Sequence, residues 1–470
     1  MLRKVIFVGL CLTSLLIDAI APQHFTFNRS LRSSSSISSF NTYTFFYVPI
    51  VISEPGTYLL ADSVMFTPTD YNASYVTITT DNVLLDLNSS TITQDPTTLT
   101  FTGVNGISIA PGVKNVVIRN GAFNSLTGSA ILVNDGVEIV DIFDLTILNM
   151  GIAGIMLEGL TTGSGITSAN FSNIDIEGSG ASGNGIGNAY GFLLQNVSTC
   201  NIETSVCGQS MAPMGDAYGM RFENCDSIRI KSSVINNNSS GATKAAGFSV
   251  LSSNNILCID TISSNNSCTA LNPTTTTAGF EILNSQAIFL QECSATSNAG
   301  YGAAYGFYLD GCSFCKMEGD DALANFSTGS SSMGFFSNNG TNNLFKNCDS
   351  MSNDGALNGY GILLTGTETG SGVSNGTIEA NIGLTGTAFG VFLDPQVVVS
   401  GVFQTTIAGH MGGVGGFGIY DSAADASTNS FFANIALKNS SNYFLSTAMM
   451  SELFTGPLSV IPGTFQNISL

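Results

Sequence analysis

From residue 153 to residue 423 the chain repeats one short pattern: a small or aromatic residue, a glycine, then apolar residues at alternate positions. Examples are YGFLLQN at 190–196, AGFEILN at 278–284, YGFYLDG at 305–311 and FGVFLDP at 389–395. The glycines are Gly154, Gly191, Gly219, Gly247, Gly279, Gly306, Gly334, Gly361, Gly390 and Gly418, spaced 27 to 37 residues apart. GISIA at 106–110 and SAILV at 129–133 read as degenerate earlier copies. A second apolar pair follows each glycine by 9 and 11 residues, as in Ile228/Ile230 and Ile288/Leu290. An asparagine recurs 19 residues after it: Asn238, Asn266, Asn298, Asn325 and Asn353. Each unit therefore holds three short strands divided by Gly, Asn and Ser turns, without helical periodicity or helix caps. Such a unit predicts one coil of a parallel β-helix, each strand pairing with its equivalent one coil on, about 4.8 Å away. The fold expected is all-β: a single right-handed parallel solenoid of about a dozen coils, on the order of 60 Å long.

Stacking turns each position into a column. The columns one before, one after and three after the glycine are almost all apolar and are expected to face inward. The asparagine column predicts an amide ladder in one turn, where Asn tolerates a left-handed backbone. The glycine column predicts a bend or a close backbone approach. Residues 51–94 carry a further signature, GTYL from Gly56 to Leu59, then Ile78 and the run from Asn82 to Asn88. This stretch resembles the opening of right-handed β-helix proteins of the pectin lyase-like superfamily, and with the repeat the resemblance spans roughly 49–445. It implies the fold. The superfamily holds lyases, hydrolases and adhesins, so it does not imply one activity.

The ends read differently. Arg3 and Lys4 precede an apolar run from Val5 to Leu16, then Ala19-Ile20-Ala21, which is the form of a secretory signal peptide over 1–21. Pro22 disfavours cleavage directly before it, leaving a shifted site or a retained anchor as alternatives. Residues 22–48 read as a Ser-rich linker whose aromatics (Tyr43, Phe45, Phe46, Tyr47) could dock on the domain that follows. The solenoid is placed at 49–446 and a capping tail at 447–470. The expected location is secreted or cell-surface, with no membrane-spanning helix beyond the leader.

Composition narrows the function. A net charge of −20 with 13 Lys plus Arg excludes nucleic acid as a partner. Two histidines in 470 residues, His24 in the linker and His410 in the repeats, nearly exclude chemistry that needs a His pair or a His-rich metal site. Arg229-Ile230-Lys231 and Gly319-Asp320-Asp321 resemble fragments of polygalacturonases, but their order is reversed and His410 lies far from both. A lyase needs only carboxylates and a base, and Asp321 and Asp349 both stand 15 residues after their glycine on adjacent coils, with Asp320 beside them. Asp320, Asp321 and Asp349 are thus the catalytic candidates, and Asp321 with Asp349 the calcium candidates; no cofactor is otherwise expected. The column two after the glycine should face outward, and Tyr308, Phe336, Leu363, Phe392 and Tyr420 form an aromatic stripe in it. That stripe is the candidate binding surface for a partner protein or a sugar; the alternative is a face that the C-terminal tail or the N-terminal aromatic linker covers. Nine cysteines follow the leader, and their registers read mostly as small apolar core residues, not disulfide pairs. The function expected is a monomeric, non-catalytic adhesion or interaction scaffold for a host or cell-surface protein or a polysaccharide. The alternative is a polysaccharide lyase or glycoside hydrolase.

Overall fold

The computed structural model describes residues 40–43, 49–160, 165–180, 187–398, 400–422, 429–432, 434–437, 439–444, 454–455 and 468–469. The leader, most of the linker and most of the capping tail lie outside them. The solenoid unit begins at Phe40, and Phe40–Tyr43 is a strand, within the segment expected as linker, that pairs in parallel with Thr57–Leu60. The described strands form three parallel sheets of 27, 15 and 8 strands. The 15-stranded sheet contains every repeat glycine strand from Ala153–Glu158 to Gly415–Asp421, and GISIA and SAILV lie in strands preceding them. Asn105–Ile109 pairs with Ile131–Asn134 and that strand with Ala153–Glu158, so the degenerate copies are true coils. The chain is a right-handed parallel β-helix.

The core is a set of stacked columns. Phe192, Met220, Phe248, Phe280, Phe307 and Phe335, each one residue after its glycine, are all fully buried. Phe280, Phe307 and Phe335 stack with centroids 4.8 and 4.7 Å apart and planes within 6°. Burying each such ring contributes roughly 1.5–3 kcal/mol. Turning the chain within so few residues demands left-handed corners. Each central coil has four: Asn224, Ser227, Ser232 and Asn237 in one, and Asn339, Asn342, Asn347 and Ser352 in another, with φ near +50°. The abundance of Asn and Ser follows, since short polar side chains visit this region at least cost.

Two expectations change here. The column before the glycine does not face the core. Tyr218, Ala246, Ala278, Tyr305 and Met333 pack in a separate cluster with Tyr308, Phe336 and Leu363, on the outer face of the sheet. The glycine causes the reversal. A Cβ on Gly219 would stand 2.1 Å from the Ile235 side chain, and one on Gly361 2.1 Å from that of Ile378, so the glycine itself points inward. Glycine and its successor both face the core, and the alternation shifts phase across them. The glycine is kept by close approach, not by φ.

The ladder asparagines, in turn, are not the left-handed residues. Those are their predecessors, Asn237, Asn265, Ser297, Ala324 and Ser352. The ladder residues project inward and are wholly buried. Nδ2 of Asn238 donates to Oδ1 of Asn266 at 2.8 Å, and the same bond links Asn266–Asn298, Asn298–Asn325, Asn325–Asn353 and Asn353–Asn381 at 2.7 to 2.9 Å. Each Oδ1 also accepts the preceding rung's backbone N–H, for example Asn298 N–H at 3.2 Å from Asn325. A buried polar column is stable when its donors and acceptors meet in this way.

Candidate functional site

The acid pair forms as the register demands. Asp321 and Asp349 are paired neighbours on adjacent coils of the 27-stranded sheet, both half-buried. Burial, then the charge of Asp349, holds the Asp321 carboxyl above its usual range. Asp349 Oδ1 accepts the Thr377 N–H at 2.9 Å. Asp320 does not join them. It points into the solenoid, fully buried, where Oδ1 accepts the Cys293 N–H at 2.7 Å. Oδ2 meets no partner among the described residues, and burial drives this carboxyl strongly toward its neutral form. It occupies the same inward corner register as Ser233 and Thr261 on earlier coils. Its adjacency in sequence to Asp321 misleads because Asp320 lies at the corner just before the strand Asp321–Leu323, one residue after the left-handed Gly319, where the in-and-out alternation of the preceding strand is reset.

The nearby cations are committed elsewhere. Lys316 and Lys346 both bind Glu318, at 2.6 and 2.9 Å. Arg229 lies 3.5 Å from Glu203, three coils from Asp320. His410 is buried and continues the asparagine ladder: the Asn381 backbone N–H donates to its Nδ1 at 3.3 Å, and its own N–H donates to Asn439 at 3.0 Å. Among the described residues, no group of three or more His, Cys, Asp or Glu side chains is placed to hold a metal ion. The nine described cysteines are free and buried, and Cys258 and Cys293 stand with sulfurs 3.7 Å apart. Denatured, unreduced protein is expected to show the same thiol count with and without reductant, while the folded protein reacts slowly. A rise in thiols on reduction would show that stacked cysteines do cross-link.

A buried carboxylate escaped the sequence reading. Glu368 is wholly enclosed and accepts from Ser337 Oγ at 3.0 Å, the Gly340 N–H at 2.7 Å, Asn343 Nδ2 at 3.4 Å and Ser371 Oγ. Burial raises its pKa against these stabilising bonds. The available signal was a pair of faults in the apolar columns: Ser337 stands where other coils have Leu, Phe or Ile, and Asn343 where they have Ile or Cys. With its oxygens engaged by four donors, Glu368 is a structural group.

The outer face of the 15-stranded sheet has a different character. Tyr308, Phe336, Leu363, Phe392 and Tyr420 do form a column, half-buried, in consecutive register. Beside it runs the column before the glycine, Tyr305, Met333, Tyr360, Phe389 and Phe417. Within a column the rings lie parallel: Tyr308–Phe336 at 5.2 Å and Phe392–Tyr420 at 5.1 Å in one, Tyr360–Phe389 at 5.0 Å in the other. Between columns Phe389–Phe392 and Phe417–Tyr420 meet edge to face, with planes at 75° and 80°, while Tyr305–Tyr308 are tilted at 37°. The result is a two-column aromatic herringbone across five coils. Its outer margin is polar: Asp310 accepts from Asn338 at 2.8 Å, and the Thr365 hydroxyl donates to Asp394. Toward the N-terminal coils the aromatic columns give way to charge, where Arg221 sits over the Tyr218 ring and pairs with Glu223, and Lys244 binds the buried Glu281 at 2.5 Å.

No family model matches the chain, and no curated protein matches it. Solved structures similar to it include the periplasmic alginate epimerase AlgG, 10% identical over 82% of this chain and 78% of that one, with a TM-score of 0.41. The A-module of the Azotobacter vinelandii mannuronan C-5 epimerase AlgE6 is 13% identical over 81% and 90%, with a TM-score of 0.40. Tailspike protein 3 of bacteriophage CBA120 is 10% identical over 84% and 56%, with a TM-score of 0.37. The fold assignment stands on the chain's own strand register: this is a right-handed parallel β-helix protein.

Proposed function

We propose that this protein is a non-catalytic, extracytoplasmic binding scaffold that presents the aromatic face of its 15-stranded sheet to a polysaccharide. The observation that carries the reading is the herringbone from Tyr305 to Tyr420. Five successive coils place aromatic rings, broken only by Leu363 in one column and Met333 in the other, beside a margin of carboxylate, amide and hydroxyl groups. Rings supply apolar contact area at low entropic cost, and the margin accepts hydroxyl donors. A sugar presents both an apolar C–H face and hydroxyls, so the two features suit one ligand. The reactive side chains have other roles: Asp320 and His410 sit in the interior, and Lys316 and Lys346 neutralise Glu318.

The test is retention of the protein in native gels cast with polysaccharides, run once with calcium and once with chelator. Phe392→Ala and Tyr420→Ala are each expected to weaken retention about tenfold, the scale of one lost aromatic contact of roughly 1.5 kcal/mol. Asp321→Ala with Asp349→Ala should leave retention unchanged. Depolymerisation that disappears in that double variant would replace this reading with the lyase or hydrolase one.

A further inference from the structure

We infer that the ligand of the aromatic face is a neutral, unbranched polysaccharide lying along the solenoid axis, with successive sugar rings in step with successive coils. The inference rests on the binding reading above and adds charge, direction and register to it.

Charge comes first. From Tyr305 to Ser422, the span that builds the herringbone, the sequence contains two cationic side chains, Lys316 and Lys346. Both belong to the 27-stranded sheet and both are held by Glu318. The margin of the aromatic face carries Asp310 and Asp394 instead. A uronate or sulfated polymer would bring like charge against these carboxylates with no cation to offset it, in a chain of net charge −20. Ionised carboxylates only accept hydrogen bonds, so the matching ligand brings donors, as the hydroxyls of a neutral glycan do.

Direction and register follow from the spacing. Neighbouring rings within a column are 5.0 to 5.5 Å apart, close to the coil spacing of about 4.8 Å. An extended chain of flat, equatorially linked pyranoses repeats on the same length scale, so along the axis each sugar meets an equivalent pair of columns. Laid across the sheet, it would meet only the two columns, against five rungs along the axis. Leu363 is then the weak rung in the outer column, between Phe336 and Phe392.

The test is calorimetric titration of the full chain with cello-oligosaccharides of increasing length, and separately with polygalacturonate, at low and high salt. Affinity for the cello-oligosaccharides is expected to rise severalfold per added ring, to level off once the chain spans the five rungs, and to be insensitive to salt. Leu363→Tyr, which fills the weak rung, is expected to raise affinity for the longer oligosaccharides a few-fold. Preferential, salt-sensitive binding of polygalacturonate, or no gain beyond the disaccharide, would overturn the inference. If Tyr420→Ala still weakened that binding, the polysaccharide-scaffold reading would survive its failure. Absence of binding to any polysaccharide, with stability lost in Tyr420→Ala, would overturn both and show that the face is packed against another part of the chain.

Discussion

Replacing Asn325 by Ala is expected to cost about 3 kcal/mol of stability. Its amide oxygen accepts both the side-chain and the backbone N–H of Asn298, at 2.9 and 3.2 Å, and its Nδ2 donates to Asn353 at 2.8 Å. Removal leaves two donors of Asn298 buried without an acceptor, at roughly 1–3 kcal/mol each. Unlike an apolar truncation, the change cannot be relieved by collapse, because the orphaned groups are fixed by the coils on either side. Urea unfolding and amide exchange at Asn298 would measure it. A loss below about 1 kcal/mol would mean that water enters the column and takes over the bonds. Because solenoid stability is a sum over coils and their interfaces, the increase in exchange should be greatest at adjacent coils and fade away from them.

His410→Asn is expected to change the acid limb of the stability curve. His410 stands in the asparagine register, accepting through Nδ1 from Asn381, so the neutral ring with its proton on Nε2 fits the site. Nε2 has no partner among the described residues, and burial pushes the pKa from 6.5 down to about 4. The unfolded state therefore binds the proton more readily. Stability from this residue is complete above about pH 6.5 and is lost as pH falls toward 4, by about 3 kcal/mol at roughly 1.4 kcal/mol per unit. Asp320 and Glu368 act in the opposite sense, since burial raises their pKa values and protonation in acid relieves them. The difference between the parent and His410→Asn isolates the histidine. The variant restores an amide rung between Asn381 and Asn439 and should retain stability where the parent loses it. Parallel curves for the two proteins between pH 7 and 4 would refute the assignment.

Much of the molecule was legible in the sequence. A glycine every 27 to 37 residues with fixed apolar offsets determined the solenoid, because parallel stacking converts a linear repeat into columns and columns demand like residues. The phenylalanine column, the asparagine column and the stacking of Asp321 on Asp349 follow from position within the unit alone. So does the outward stripe from Tyr308 to Tyr420.

What the repeat did not determine is which way a residue points where alternation breaks. Tyr305, Tyr360 and Phe389 read as core because they lie two residues before a core position, yet they build the second aromatic column outside. Asp320 read as a partner of Asp321, yet it is turned inward at a corner and buried. The cause is the same in both places. A strand rule of period two holds only along regular backbone, and the glycine approach and the left-handed corners each reset its phase. The sequence alone thus determined the coil, its columns and the lack of cations in the C-terminal repeats. Only the tertiary structure decided which columns share a face, because that depends on close contacts across the interior that no single coil contains.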